Sequence, residues 1–194
     1  MRVLLLLLAA ASVFPCFADE AEQPCADLAT RAIDAALGDS VATYNLGVEF
    51  YIGRCVEQNH AKAAVLWERA AMSGLVNAKN NLGFLLSQGF GVDKDMARAV
   101  SLWQEAALAG HVEAQLHLGD ALFRGDGIAQ DRALGLAWVL LANDRVATTD
   151  EPGAGPELTD MAEDGKAEML DAHPELLDQA MVLKAKIGAT QAGR

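Results

Sequence analysis

The sequence predicts an all-α superhelix of stacked helix-turn-helix units, and three observations predict it. Ala42, Ala78 and Ala114 recur at a step of 36 residues, and the same step links Leu46, Leu82 and Leu118, then Gly47, Gly83 and Gly119, then Gly53, Gly89 and Gly125. Within each period the apolar side chains fall three to four apart, as at Leu82 and Leu86, without strand-like alternation. Glycines and short polar side chains hold fixed places in the period, where the helices of a repeat must stop and start.

Residues 1–18 precede the periodic region. Met1-Arg2 and the apolar run Val3 to Val13 have the charged and hydrophobic regions of a secretory leader. Cys16-Phe17-Ala18 supplies a small-x-small site, so cleavage is expected after Ala18. The competing reading is a lipoprotein acylated on Cys16, but Phe14-Pro15 places bulk where such sites use small residues. No later stretch approaches 18 uninterrupted apolar residues. The expectation is a periplasmic or secreted chain with no integral membrane segment once the leader is removed.

Residues 19–41 are read as an N-terminal half unit, because Gly38 stands one period before Gly74 and Gly110. Full units are assigned to 42–77 and 78–113, and an atypical, capping one to 114–143. Their first helices are expected near 42–52, 78–88 and 114–124, with Leu46 and Phe50, Leu82 and Leu86, and Leu118 and Leu122 as i, i+4 pairs on the buried face. A glycine inside a helix costs about 1 kcal/mol relative to alanine. Its recurrence at Gly47, Gly83 and Gly119 therefore points to close approach by a neighbouring helix backbone. Gly53, Gly89 with Gly91, and Gly125 with Gly127 make the turn, and Asn59, Asp95 and Asp131 stand where a side-chain oxygen caps the second helix. Trp67 and Trp103 fill the gap between helix pairs. A first helix of about eleven residues is marginal alone in water, so stability must come from stacking.

Ala78, Leu82, Gly83, Gly89, Gly91, Val92, Asp95, Ala99, Trp103, Ala106, Ala107 and Gly110 together resemble the Sel-one-like repeat (SLR) of the tetratricopeptide-like (TPR-like) α/α solenoids. The resemblance covers 42–77 and 78–113 well. In 114–143 Gly135 replaces the small alanine, and Trp138 lies one place before the tryptophan slot, which Val139 fills. Leu136 to Leu141 is read as a closing helix. The resemblance implies an adaptor or regulator in exported and membrane-associated complexes, without catalysis of its own, whose first helices line a concave wall.

With Cys16 lost in the leader, Cys25 and Cys55 remain in a compartment that permits disulfides. Cys55 falls where later units carry Gly91 and Gly127, and Cys25 lies one period before Ala61, so both sit at the turn end of adjacent units. A bridge would fasten the half unit to the first full repeat; the alternative is two inert small hydrophobes. After Asn143 the period fails. Residues 144–158 are read as an acidic Pro/Gly loop, solvated rather than cation-binding, and 159–194 as C-terminal helices. The last of these begins at His173-Pro174 and carries Leu176, Leu177, Ala180, Leu183 and Ile187 as a stripe before Gly188, which either covers the last repeat or docks on a partner.

A formal charge of −12 and a pI near 4.6 work against nucleic acid and against anionic lipid. No catalytic constellation emerges. Gly38-Asp39-Ser40-Val41-Ala42 misses the nucleophile-elbow pattern, no Ser-x-x-Lys or Lys-Thr-Gly occurs, and His111, Glu113 and His117 depart from the zinc-protease spacing. No enzyme activity, metal or cofactor is expected. Candidate partner-binding residues are the first-helix positions that vary between units while the scaffold repeats: Tyr44, Asn45, Val48, Glu49, Asn80, Asn81, Phe84, Gln88, His117, Asp120 and Arg124. The bland alternative is that exposed positions vary freely. The expected function is an exported, non-catalytic adaptor for a protein or peptide. The alternative is binding of a cell-wall fragment or small molecule, with or without hydrolysis, which would need His111 or His117 at hydrogen-bond distance from a carboxylate.

Overall fold

The computed structural model describes Cys25, residues 27–148 and residues 156–193. The predicted leader lies outside the described residues. The described chain forms helices α1 (Leu28–Ala36), α2 (Ser40–Ile52), α3 (His60–Met72), α4 (Val76–Gln88), α5 (Met96–Leu108), α6 (Val112–Arg124), α7 (Arg132–Thr148) and α8 (Pro156–Ala172), then a 3-10 turn (Pro174–Leu176) and α9 (Leu177–Ala192). No strand occurs among the described residues. Three antiparallel pairs, α2/α3, α4/α5 and α6/α7, stack in chain order, with α1 ahead of them and α8 and α9 behind.

Local chemistry explains where each helix starts and stops. Asn59 Oδ1 accepts from the Lys62 amide, Asp95 Oδ1 from Arg98 and Asp131 Oδ1 from Leu134, each at 2.9 Å, so the second helix of every unit is capped as the sequence predicts. Gly53, Gly89 and Gly125 end the first helices at φ between 76° and 82°, each donating its amide to the carbonyl four residues back at 2.8 Å. The first helices begin two residues earlier than expected: Asp39 caps α2 through the Ala42 amide, and His111 Nδ1 accepts from the Ala114 amide at the start of α6.

Two of the three recurrent glycines, Gly47 and Gly83, admit an indole edge from the neighbouring helix in place of the expected backbone. A Cβ on Gly47 would lie 2.6 Å from Trp67 Nε1, and one on Gly83 2.6 Å from Trp103 Nε1. With that space open, Trp67 donates to the Tyr44 carbonyl and Trp103 to the Asn80 carbonyl, both at 3.2 Å. Each indole thus fastens the second helix of a unit to its first and fixes the register of the residues beside it. In the third unit Val139 takes the tryptophan slot. There a Cβ on Gly119 would meet Val139 Cγ2 at 2.7 Å and the Gly135 carbonyl oxygen at 2.9 Å, so true backbone contact replaces the indole.

Two buried clusters result. One runs through the repeats and contains Trp67, Leu82, Leu86, Trp103, Leu118, Leu122 and Trp138. The second, around Leu136, Val139, Ala162, Met169 and Ala180, seals α8 and α9 onto α7. The stripe bearing Leu176, Leu183 and Ile187 packs on it, so α9 covers the last repeat and passes through Gly188 to Ala192. The loop predicted over 144–158 is shorter, because α7 continues to Thr148 and α8 begins at Pro156. The reason is tertiary: Val146 is buried, Arg145 donates to the Gly110 carbonyl at 2.8 Å, and Lys184 meets Asp144 at 2.7 Å. Residues 149–155, the Pro/Gly part of that loop, lie outside the described residues.

Cys25, just before α1, and Cys55, in the turn after α2, are joined in a disulfide with their Cα atoms 5.3 Å apart. Among the described residues no helix is long and apolar enough to cross a membrane.

Candidate functional site

Three recesses follow one another along the face made by α2, α4 and α6. The first, about 260 Å³, lies between α2 and α4 and is lined by Tyr44, Val48, Tyr51 and Trp67 on one side and Asn80, Asn81, Phe84 and Glu113 on the other. The next, about 310 Å³, is bounded by Phe84, Gln88, Trp103, His117 and Asp120. The third, about 330 Å³, runs from His117, Asp120 and Arg124 to Met161 and Glu168 on α8. Phe84 is a wall of the first two, and His117 and Asp120 are walls of the last two. Successive recesses thus share side chains and together span all three repeats.

Polar groups along the recesses are held by one another. Asn80, almost fully buried, donates through Nδ2 to Glu113 Oε2 at 3.0 Å and to Asn81 Oδ1 at 3.3 Å. Asn81 Nδ2 in turn donates to the Tyr44 hydroxyl at 3.3 Å. Burial raises the Tyr44 phenol above its ordinary value, with the nearby Glu113 carboxylate adding to the shift against the Asn81 hydrogen bond, so the ring stays neutral. Glu113 is shifted the other way: the interaction with His117 holds its carboxyl below the usual range, against partial burial. His117 stacks on Trp103 with ring centroids 4.7 Å apart and holds Nε2 3.6 Å from Glu113 Oε1, beyond a formed hydrogen bond. His111 turns its Nδ1 to the Ala114 amide, 3.3 Å away. Among the described residues no three histidine, cysteine or carboxylate side chains gather as metal ligands do.

The Sel1 repeat model matches residues 40–75, 76–111 and 112–145, which is more than half of the sequence. The chain belongs to the Sel1 repeat family. Sel1 repeats are typically protein-interaction scaffolds and are generally non-enzymatic. Two solved structures are similar to it. A protective antigen present in uropathogenic Escherichia coli strains, displaying an SLR fold, superposes with a TM-score of 0.71 at 28% identity over 86% of this chain. This chain spans only 33% of that antigen's length. A Sel1 repeat protein from Oxalobacter formigenes superposes with a TM-score of 0.55 at 34% identity, covering 69% of this chain and 98% of the other. No curated protein matches the sequence.

Placed on this Sel1 repeat frame, Tyr44, Val48, Asn80, Asn81 and Phe84 line the first recess, Gln88 the second, and His117, Asp120 and Arg124 the third. Asn45 is half-buried on α2 and lines none of the three. Glu49 lines none of the three either: its side chain is 2% exposed and its Oε1 accepts from Arg31 at 3.0 Å and Arg54 at 2.7 Å, so it ties α1 and the following turn to α2.

Three residues of the first recess, Tyr51, Trp67 and Glu113, are absent from the candidate binding positions. Tyr51 lies seven residues after Tyr44 and three after Val48, on the same helical face, and Glu113 lies four before His117. Those spacings were legible. The Trp67 indole, read as core ahead of a sugar-binding platform, is both core and recess wall.

Proposed function

We propose that this Sel1 repeat chain is an exported, non-catalytic adaptor that holds an extended segment of a protein or peptide along the α2/α4/α6 face, which is the concave wall of its solenoid. The succession of the recesses carries the reading. Three recesses with shared walls suit successive side chains of one elongated ligand, each recess standing at the small end of the range that encloses a whole small molecule. Export is supported by the Cys25–Cys55 bridge and by the leader-like residues 1–18, with cleavage proposed after Ala18.

The test is peptide display against the full chain, with a Phe84→Ala/His117→Ala variant alongside. Phe84 and His117, like Asp120, are shared walls, so truncating these two reshapes the adjoining recesses at both junctions. Enrichment of extended peptides by the wild type, reduced at least tenfold with the variant, supports the adaptor. Failure to enrich any peptide, with binding of a wall fragment or small molecule instead, replaces it with the ligand-binding alternative.

A further inference from the structure

We propose that the recess between α2 and α4 takes a basic side chain, arginine or lysine, of the bound peptide. The inference rests on the adaptor reading and specifies its anchor. The recess combines a wall of rings with one charge. Tyr51 packs against Trp67 with centroids 5.4 Å apart, Tyr44 stacks on the same indole at 6.3 Å, and Phe84 closes the opposite side. Ring faces attract a cation through their quadrupole, and the attraction grows as the cation leaves water. Among the residues lining this recess Glu113 alone carries a formal charge, and it is negative.

The hydrogen bonds aim that charge. Glu113 Oε2 is held by Asn80 Nδ2 at 3.0 Å, which also fixes the Asn80 amide, because the reverse orientation would set its carbonyl oxygen against a carboxylate. Asn80 Oδ1 is left buried without a protein donor. Asn80 occupies one site on Oε2 and His117 Nε2 stands 3.6 Å from Oε1, beyond a formed hydrogen bond, so Glu113 retains lone pairs for an ammonium or one edge of a guanidinium. A carboxylate or phosphate would meet Glu113 head-on. A neutral apolar side chain would fill the rings but leave the carboxylate without a cation. The whole chain, at −12, attracts basic segments from a distance.

The experiment sorts display-selected peptides by composition and measures their affinity for the full chain by fluorescence anisotropy. Each anchor residue is replaced in turn by a neutral isostere, citrulline for arginine or norleucine for lysine. The expected result is one basic position common to the selected peptides, whose neutralisation weakens binding about tenfold in the wild type and less than twofold in Glu113→Gln. Tyr51→Leu, on the half-buried rim, serves as a second variant and should also lower affinity for the basic peptide while leaving the melting temperature near that of the wild type. Peptides that bind without a common basic position, or whose neutralisation costs the same in Glu113→Gln, overturn the inference and leave the adaptor standing. No peptide binding at all overturns both.

Discussion

Cys25 is bonded to Cys55 at the station where, one repeat later, Ala61 lies against Gly91. A Cβ on Gly91 would run into the His60 and Ala61 backbone, and one on Gly127 would stand 2.7 Å from the Met96 carbonyl carbon. The turn of each unit therefore presses on the start of the preceding second helix. In the later units glycine permits that approach; at the N-terminal end a covalent bond replaces it. The half unit needs one because α1 has only nine residues and no helix stacked on its outer side among the described residues.

Reduction, or Cys55→Ser, should cost roughly 3.5 kcal/mol by the loop-closure relation applied to a 30-residue separation. Hydrogen exchange locates the loss: α1 should lose protection first while α4 to α7 keep theirs. Uniform loss of protection along the chain would show that the bridge supports the whole stack.

Gly83→Ala should destabilise by about 2–4 kcal/mol, since its Cβ would displace Trp103 and break the bond to the Asn80 carbonyl. Gly188→Ala is the control. Nothing lies within 4 Å of a Cβ there, inside α9, so urea denaturation should show a gain of up to about 1 kcal/mol.

Glu113 makes stability depend on pH in the acid range. Its folded carboxyl is shifted downward, chiefly by His117, so its contribution is complete above the unfolded value of 4.5 and disappears as pH falls through the lower folded value. Urea midpoints between pH 3 and pH 6, compared with Glu113→Gln, measure it. The variant should lose less stability on acidification than the wild type; identical slopes would remove Glu113 from the account.

Arg145→Ala should loosen the C-terminal cap. The guanidinium bonds the Gly110 carbonyl at 2.8 Å and Gln191 Oε1 at 2.7 Å, and Gln191 Nε2 reaches the Ala107 carbonyl at 2.6 Å, so one side chain ties α7 and α9 to the end of α5. Loss of the charged hydrogen bonds should cost about 2 kcal/mol. Trypsin should then cut faster at Lys184 and Lys186, both within α9, and an unchanged rate would place the cap's stability in the apolar cluster alone.

The sequence by itself determined the repeat, its caps, its turn glycines and the station of each cysteine, because these depend on contacts within a few residues or on a fixed period. Asn59, Asp95 and Asp131 cap helices by local geometry, so their spacing sufficed. Only the tertiary structure decided what occupies the space above Gly47 and Gly83, where an indole from the partner helix enters in place of a backbone. It also buried Glu49 beneath Arg31, which comes from another helix, and it extended α7 past Asn143, because Arg145 and Asp144 find partners on distant segments. The recess that brings Tyr44, Tyr51 and Trp67 toward Asn80 and Glu113 joins helices of three successive units. A period gives each residue its height along the stack, but the distance across a groove is set by how neighbouring helices pack.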